Sequence, residues 1–227
     1  MTLDLDAYLK RIGYAGPVRA DLATLDALHE AHVNTVPFEN LDVHAGRPVT
    51  LSLEAAYDEI VTRSKGGWCY EMNAVFGWAL SEIGFEVTRI GAGVRRASLG
   101  DEAMGNHLAL LVRLDRDYLA DVGFGSSQVR AIPLEDGVSN HAPVRMAMAR
   151  TQDGYWRLHE GGPGSVMSYD FRPEAADEAR LAARHAWQIS DPNSIFYKTL
   201  SAKIRRGTTY HILRGRVVET QMPGRSE

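Results

Sequence analysis

Cysteine is almost absent from this sequence: one residue in 227 carries a thiol, so the chain cannot form an internal disulfide bond. Proteins of reducing compartments commonly lack such bonds, and we therefore predict a cytoplasmic protein. An excess of positive charge is also lacking, since the net charge of −4 at pH 7 gives no basic stripe that would bind nucleic acid. No run of about 18 apolar residues occurs, and the first residues are acidic, so the sequence predicts neither a membrane span nor a secretory signal.

What the chain does contain is ordinary globular composition, with 44% hydrophobic and 24% charged residues. Up to about residue 84, apolar residues recur at helical spacing, and Asp21 and Ser52 are the predicted N-caps of two helices. A third helix is predicted to begin near Trp68 and Cys69 and to end at Gly84, since glycine commonly closes helices.

From Phe85 onward the hydrophobic pattern has a period of two, which is typical of strands. Residues 107–112 and 118–122 flank a short polar turn, and we predict that they form a hairpin. The remaining predicted elements are a strand pair at 145–150 and 155–158, a helix at 174–190 and a terminal hairpin at 209–220. Helices first and strands after them indicate an α+β fold.

The single cysteine, Cys69, follows Gly66, Gly67 and Trp68 at the predicted start of an apolar helix. An isolated free cysteine is usually a small buried hydrophobic residue. Here the two glycines allow close approach of a substrate, and the N–H groups at a helix start stabilise a thiolate. Since the thiolate is the nucleophilic form of cysteine, this setting favours a catalytic role for Cys69.

A nucleophilic cysteine commonly works with a histidine, and the sequence has eight. His107 opens an apolar strand and Asp121 ends the next one, and both are costly positions for a polar side chain without a partner. If these strands pair, the carboxylate can orient the imidazole for Cys69. His29 and His32 lie one turn apart on a predicted polar helix face, where we expect solvation and no metal site.

These residues lie in blocks that resemble the arylamine N-acetyltransferase family in their order and spacing. The blocks are Pro37–Leu41, Gly66–Asn73, His107–Leu108 and Asp121–Gly125, with a weaker match at Asp191–Phe196. The resemblance implies a core like that of cysteine proteases, built from three parts. These parts are an N-terminal helical bundle at 1–84 with the catalytic cysteine, a central β-barrel at 85–172 with the histidine and aspartate, and an α/β lid at 173–227.

The resemblance also implies a catalytic triad of Cys69, His107 and Asp121 and a ping-pong reaction without a metal. Cys69 would take an acetyl group from acetyl-CoA as a thioester and pass it to an arylamine, a hydrazine or an N-hydroxyarylamine. A thioester donor and a thioester intermediate have similar energies, so the transfer is divided into two tractable steps.

Substrate contacts follow from the same resemblance. Phe38, Trp68 and Phe124 are the implied pocket for the aromatic acceptor, and for each of them core packing is the alternative. Gly125 and Phe196 are the implied contacts of the coenzyme. A homodimer is among the assemblies that we consider.

Two positions depart from the family pattern. Lys65 stands where arginine usually precedes the glycine pair, and Met72 stands where a glutamine is usual. We expect both changes to loosen local hydrogen bonding without abolishing the chemistry. The chain also ends near residue 227, earlier than is common in the family, which predicts a shortened lid, a more open cleft and weaker coenzyme binding.

Other functions remain open at this point. Transglutaminase-like and papain-like hydrolases use the same Cys-His-Asp chemistry on amides, and amide hydrolysis without acyl-CoA turnover would favour them. A family-related amide synthase would instead close a tethered polyketide chain onto an aromatic amine. A non-catalytic binding protein is disfavoured, because Cys69, His107 and Asp121 are all present.

Overall fold

The computed structural model describes residues 2–162 and 164–226, and the first part of the chain is helical. Its elements are α1 (Leu5–Ile12), α2 (Leu22–Thr35), β1 (Phe38–Glu39), α3 (Leu41–His44), α4 (Leu53–Tyr57), a π-helical turn (Asp58–Thr62) and α5 (Cys69–Ile83). The side chains of Asp21 and Ser52 accept hydrogen bonds from the backbone N–H groups of Thr24 and Ala55, so both predicted N-caps are confirmed. Over the described ranges, no helix is long and apolar enough to cross a membrane.

Helix α5 has the bounds that the sequence predicts. It begins at Cys69, and the carboxylate of Glu71 accepts a hydrogen bond from the backbone N–H of Trp68 at 3.2 Å. It ends at Gly84, whose φ of 104° lies in the left-handed region that favours glycine. The backbone at the start of the helix is therefore fixed by the residues that surround the cysteine.

The middle of the chain forms one antiparallel sheet in the order β5-β4-β3-β2-β9-β8-β7-β6. Its strands are β2 (Glu86–Val94), β3 (His107–Arg113), β4 (Asp117–Ala120), β5 (Ile132–Pro133), β6 (Gly137–His141), β7 (Val144–Arg150), β8 (Trp156–Glu160) and β9 (Ser168–Phe171), with α6 (Arg96–Leu99) and a 3₁₀ turn (Gly100–Ala103) after β2. The first and last strands of this order are joined by residues 134–136 alone, and so short a connection spans at most about 15 Å. The sheet therefore curls into a nearly closed barrel.

The predicted hairpin around residues 113–117 and the predicted strand pair after 144 are both confirmed.

The last part of the chain packs a smaller sheet against the start of the helical part. Its elements are α7 (Glu178–Ser190), α8 (Ile195–Lys198), β10 (Ser201–Arg206), β11 (Thr209–Arg214), β12 (Val217–Met222) and β13 (Arg225–Ser226), and the strand order is β1-β10-β11-β12-β13. The predicted terminal hairpin is confirmed, and the predicted helix begins four residues later than expected, at Glu178. Strand β10 is not predicted from the sequence, because its residues are mostly polar. The predicted fold class, α+β with a helical bundle, a barrel and a protease-like core, is confirmed.

Strand β3 separates two hydrophobic cores because its side chains alternate. Leu108 and Leu110 pack with helix α5 in one core, whereas Ala109 and Leu111 belong to the core inside the barrel. His107 has the same parity as Ala109, so its ring lies on the barrel side of the strand. The period-two pattern thus decides the direction in which the first residue of β3 points.

Arg205 in β10 connects the smaller sheet to the loop that follows β4. The guanidinium is fully buried and donates hydrogen bonds from Nε to the carbonyl of Ser126 at 3.1 Å and from Nη2 to that of Ser127 at 2.7 Å. Further carbonyl acceptors are His141, at 3.1 Å from Nη2, and Ala142. Arginine is suited to this position because its planar fork presents five donors.

We predict that Arg205→Lys lowers the free energy of unfolding by about 2–4 kcal/mol, because several buried carbonyls lose their donors. Urea denaturation measures this change. The exposed Arg216→Lys is the matched control and should change stability by less than about 0.5 kcal/mol. Equal losses in the two variants would show that the connection does not stabilise the fold.

Candidate active site

Cys69 is held in place by the glycine pair that precedes α5. A Cβ atom on Gly66 would lie 2.3 Å from the carbonyl oxygen of Pro37, so a side chain does not fit there. The N–H of Gly67 donates to Pro37 at 3.1 Å, and its carbonyl accepts from the N–H of Glu39 at 2.9 Å. The start of α5 is thereby fastened to β1, and Cys69 is buried at the helix N-terminus with 2% exposure.

His107 and Asp121 come together because β3 and β4 pair. Leu110 lies opposite Ala120, which places the residue after β4 beside the first residues of β3. Nε2 of His107 donates a hydrogen bond to Oδ2 of Asp121 at 2.7 Å, and both side chains are buried. The pairing that the sequence predicts for the two strands therefore produces the contact between the two side chains.

Cys69 lies close enough to His107 to raise the pKa of the imidazole. Because Nε2 is engaged with Asp121, Nδ1 is the ring nitrogen that remains for the sulfur. Burial alone would lower the pKa of His107, but attraction to Asp121 and Cys69 outweighs it and raises the pKa to about 10. Burial would raise the pKa of Asp121, yet His107 and neighbouring hydrogen-bond donors bring it below its ordinary value. At neutral pH the pair is an imidazolium and a carboxylate.

Three further donors converge on the carboxylate of Asp121. Nδ2 of Asn73 donates to Oδ1 at 2.8 Å, and the N–H of Gly123 donates to the same oxygen at 2.9 Å. The hydroxyl of Tyr169 donates to Oδ2 at 2.9 Å. Asn73 also donates to the carbonyl of Leu108 at 2.7 Å, so one amide links helix α5, strand β3 and the carboxylate. These bonds compensate the cost of burying the charge.

Sequence reasoning does not single out Asn73 or Tyr169 as site residues. A signal for Asn73 exists, because a residue four positions after Cys69 lies on the same face of the helix. Tyr169 has no such local signal, since β9 is short and reaches the site only through its pairing with β2.

The expectation that His29 and His32 are solvated is wrong. Both rings are fully buried and pack edge-on against Phe76, with centroids 5.5 and 5.6 Å apart. Nε2 of His29 accepts a hydrogen bond from the backbone N–H of Asp121 at 3.2 Å, and His32 bonds the hydroxyl of Tyr8 at 2.9 Å. Burial lowers the pKa of His29 to about 4 and that of His32 to about 3. A neutral imidazole with a hydrogen-bond partner can be buried in a hydrophobic core. The expectation was wrong because the sequence pattern identifies core positions by aliphatic residues alone.

Four of the sequence-predicted substrate contacts are aromatic, and they form two groups. Trp68 packs against Phe196 with ring centroids 5.2 Å apart, and Phe38 packs against Phe196 at 6.5 Å. Phe124 lies edge-on to His107 at 5.5 Å. The structure therefore places two expected acceptor contacts beside the expected coenzyme contact Phe196, and the third beside the histidine.

The loop 123–125 runs past the cysteine. A Cβ atom on Gly123 would lie 2.7 Å from Cα of Cys69, so this close approach requires glycine. Gly125 has a φ of 65°, and a Cβ atom there would lie 2.7 Å from Nζ of Lys203. The expected coenzyme contact Gly125 thus lies between the nucleophile and a lysine of the smaller sheet.

The residues that depart from the family pattern have partners of their own. Nζ of Lys65 forms ion pairs with Asp42 at 3.2 Å and Glu59 at 2.5 Å, and Met72 is fully buried in the helical core. In the described part of the chain, no three histidine, cysteine, aspartate or glutamate side chains are grouped so that they could hold a metal ion.

A thiol on a helix N-terminus, linked to an imidazole and a carboxylate on two paired strands, is the arrangement of enzymes with a cysteine nucleophile. The sequence profile of the N-acetyltransferase family matches residues 21–226. The arylamine N-acetyltransferase of Mycolicibacterium smegmatis is 34% identical over 244 aligned positions, which cover the whole chain and 86% of that protein. The chain belongs to the arylamine N-acetyltransferase family.

Other relatives agree with this assignment. Arylamine N-acetyltransferase 2 of Macaca mulatta and arylamine N-acetyltransferase 1 of Homo sapiens are 40% and 39% identical over 163 residues, or 70% of this chain, which spans 56% of the length of these relatives. The solved structure of the Mycobacterium marinum arylamine N-acetyltransferase in complex with CoA has a TM-score of 0.90 at 30% identity. That comparison covers 99% of this chain and 85% of the other.

We predict that Tyr169→Phe lowers the free energy of unfolding by about 2 kcal/mol, because a buried carboxylate loses one donor while the ring packing stays. Chemical denaturation measures the loss. Tyr118→Phe is the matched control, since its hydroxyl bonds the carboxylate of Asp115 near the surface, and its effect should be clearly smaller. Equal effects would mean that the bond from Tyr169 to Asp121 adds nothing specific.

A second prediction concerns pH. His107 is protonated in both states below its ordinary pKa, so its pairing contributes fully there. Between about pH 6.5 and 10 the folded state keeps a proton that the unfolded state has lost, so stability falls as pH rises. The lowered pKa of Asp121 acts at the other end, and its contribution is lost only as pH falls into the acid range.

We therefore expect the free energy of unfolding to decrease from pH 6.5 to 10 more steeply in the wild type than in His107→Gln. Urea denaturation at several pH values measures both slopes. His211→Gln, in the smaller sheet, should keep the wild-type slope. Parallel slopes for the wild type and His107→Gln would contradict a charged His107 in the folded state.

Proposed function

We propose that the chain transfers an acetyl or related acyl group from acyl-CoA to an arylamine, hydrazine or N-hydroxyarylamine through a thioester on Cys69. The observation that carries this proposal is the buried series of contacts from the sulfur to His107 and from His107 to Asp121, with 2.7 Å between Nε2 and Oδ2. The names of the relatives, arylamine N-acetyltransferases, support the same reaction.

In the first step the sulfur of Cys69 attacks the thioester carbonyl of the donor. The new carbon–sulfur bond forms, the bond to the coenzyme sulfur breaks, and the imidazolium of His107 gives its proton to the departing thiolate. The N–H groups at the start of α5 favour negative charge at the nucleophile. Asp121 holds the imidazole with Nδ1 toward the sulfur throughout.

In the second step the amine attacks the acyl group on Cys69. The amide bond forms, the sulfur leaves as a thiolate, and the proton of the amine passes to His107, which restores the imidazolium. Because His107 is neutral after the first step and charged after the second, one residue serves as acid and then as base. The fixed bond to Asp121 supports both roles.

For the substrates, we propose that the aromatic side chains Phe38, Trp68 and Phe124 contact the acceptor ring, while Gly125 and Phe196 contact the donor. Phe38 and Phe124 have 7% and 9% exposure and Trp68 has 1%, so little of their surface reaches solvent. Apolar walls around a few polar groups are the usual composition of small-molecule sites. The contacts of Phe38 and Trp68 with Phe196 support a proposal in which the acceptor and the donor bind next to each other.

We predict that incubation with acetyl-CoA adds one acetyl group to the protein and that Cys69→Ala and Cys69→Ser prevent this addition. Because the chain has a single cysteine, the mass of the intact protein identifies a hydroxylamine-sensitive adduct as a thioester at Cys69. Both variants should lower kcat/KM for acetyl transfer to 4-aminobenzoate by roughly a thousandfold or more.

The comparison variant is His159→Gln in β8, which should form the adduct at the wild-type rate. Hydrolysis of amides or peptides without any acyl adduct from several acyl-CoAs would reject the acyltransferase and favour an amide hydrolase. An adduct that forms only from a tethered carrier thioester would favour an amide synthase.

A further inference from the structure

Lys203 lies at the point where the smaller sheet meets the candidate active site. It stands directly opposite Phe38 in the pairing of β10 with β1. Its side chain is partly buried, and Nζ lies 5.8 Å from the centre of the Phe38 ring. A cation over a ring face at this distance is attracted to it, but all three N–H donors remain available.

Among the described side chains, those of residues 2–162 and 164–224, Nζ of Lys203 has no polar partner at hydrogen-bond distance. None of the hydrogen bonds or ion pairs there includes it, although a Cβ atom on Gly125 would lie only 2.7 Å away. Burial lowers the pKa of Lys203, and at longer range Glu160 attracts the ammonium while Arg214 repels it. The partly buried ammonium has no counter-ion at hydrogen-bond distance, so a ligand that supplies negative charge is attracted to it.

The distance between Nζ of Lys203 and Cys69 is short enough for one small ligand to contact both. A Cβ atom on Gly123 would lie 3.1 Å from Cβ of Cys69, and two residues along the chain Gly125 approaches Nζ of Lys203. Since two residues span at most about 7 Å, Nζ lies within about 13 Å of Cβ of Cys69. A ligand that contacts both the sulfur and the ammonium therefore bridges no more than this distance, and an aromatic ring with an amine at one end and an anionic group at the other is shorter than it.

We propose that Lys203 binds an anionic group of a substrate that lies in the cleft beside Cys69. This inference rests on the proposed function and names the chemistry that the site recognises: a carboxylate on the arylamine acceptor or a phosphate of the acyl-CoA donor. Either group accepts a charge-assisted hydrogen bond from the ammonium. Glycine at 125 suits this position, because its φ of 65° disfavours other residues and a side chain there would displace the end of Lys203.

The test uses Lys203→Met, which keeps the apolar stem, and Lys203→Arg, which keeps the charge. Steady-state kinetics compare 4-aminobenzoate with its uncharged ethyl ester as acceptors, and acetyl-CoA with the phosphate-free S-acetyl-N-acetylcysteamine as donors. For one of the two pairs, Lys203→Met should raise the KM of the anionic substrate about tenfold or more. The rise in KM for the neutral substrate of that pair should be at least several-fold smaller, and kcat should change little. Lys203→Arg should restore most of the affinity.

The exposed Lys198→Met removes the same charge outside the cleft and is the matched control. A rise confined to 4-aminobenzoate identifies the acceptor carboxylate, and a rise confined to acetyl-CoA identifies the donor phosphate. An equal rise for charged and neutral substrates, or no rise for either, would overturn the proposal.

Calorimetric titration with 4-aminobenzoate and with CoA makes the same comparison without turnover. Its outcome therefore separates failure of the Lys203 assignment from failure of the acyl-transfer assignment. If Lys203→Met binds one of the two anions about tenfold or more weakly than the wild type, the inference is supported even if acetyl transfer is absent. Unchanged binding of both anions in that variant rejects it even if transfer occurs.

Discussion

The carboxylate of Asp121 is a negative charge with no exposure to solvent, and its hydrogen-bond donors link the helical part and the barrel. Such a charge destabilises a protein unless hydrogen bonds replace its hydration. Here His107 comes from β3, Asn73 from the nucleophile helix and Tyr169 from β9, while His29 in α2 accepts the backbone N–H of the aspartate itself. Because these donors lie far apart in sequence, the carboxylate is stabilised only when helices and barrel have packed together.

Two imidazoles lie next to this one aspartate, and they differ in charge for a physical reason. His107 meets the carboxylate and the cysteine sulfur, and its pKa is raised to about 10. His29 meets the backbone N–H and an aromatic ring, and burial lowers its pKa to about 4. Around neutrality His29 therefore stays neutral, and His107 is the one of the two that is protonated. The aspartate orients one histidine with its side chain and is itself oriented by the other.

What the sequence predicts well is local. The bounds of α5 follow from the apolar helical pattern after the glycine pair and from the glycine at position 84, and the β3–β4 hairpin follows from alternation around a short polar turn. The hairpin brings His107 and Asp121 together, whereas the approach of Cys69 also requires α5 to pack against β3.

What the sequence does not predict depends on distant pairing. Strand β10 has too many polar residues to be distinguished from a loop, and it becomes a strand because β1 and β11 cover both of its edges. Tyr169 reaches Asp121 only because β9 pairs with β2 across a gap of more than seventy residues. His29 and His32 break the aliphatic pattern of α2, yet they are core residues because each ring finds one polar partner.

The residues proposed for acyl transfer and those proposed for substrate recognition also differ in whether local patterns or distant pairing positions them. Cys69, the proposed nucleophile, and His107 lie on elements that local patterns specify. The groups that would recognise a substrate come from opposite ends of the chain: Phe38 precedes the nucleophile helix, and Lys203 belongs to β10. They become neighbours only through the β1–β10 pairing, and Arg205 separately joins β10 to the carbonyls of the loop after Asp121. A change in β10 can therefore alter what the cleft binds while the sulfur, imidazole and carboxylate stay in place.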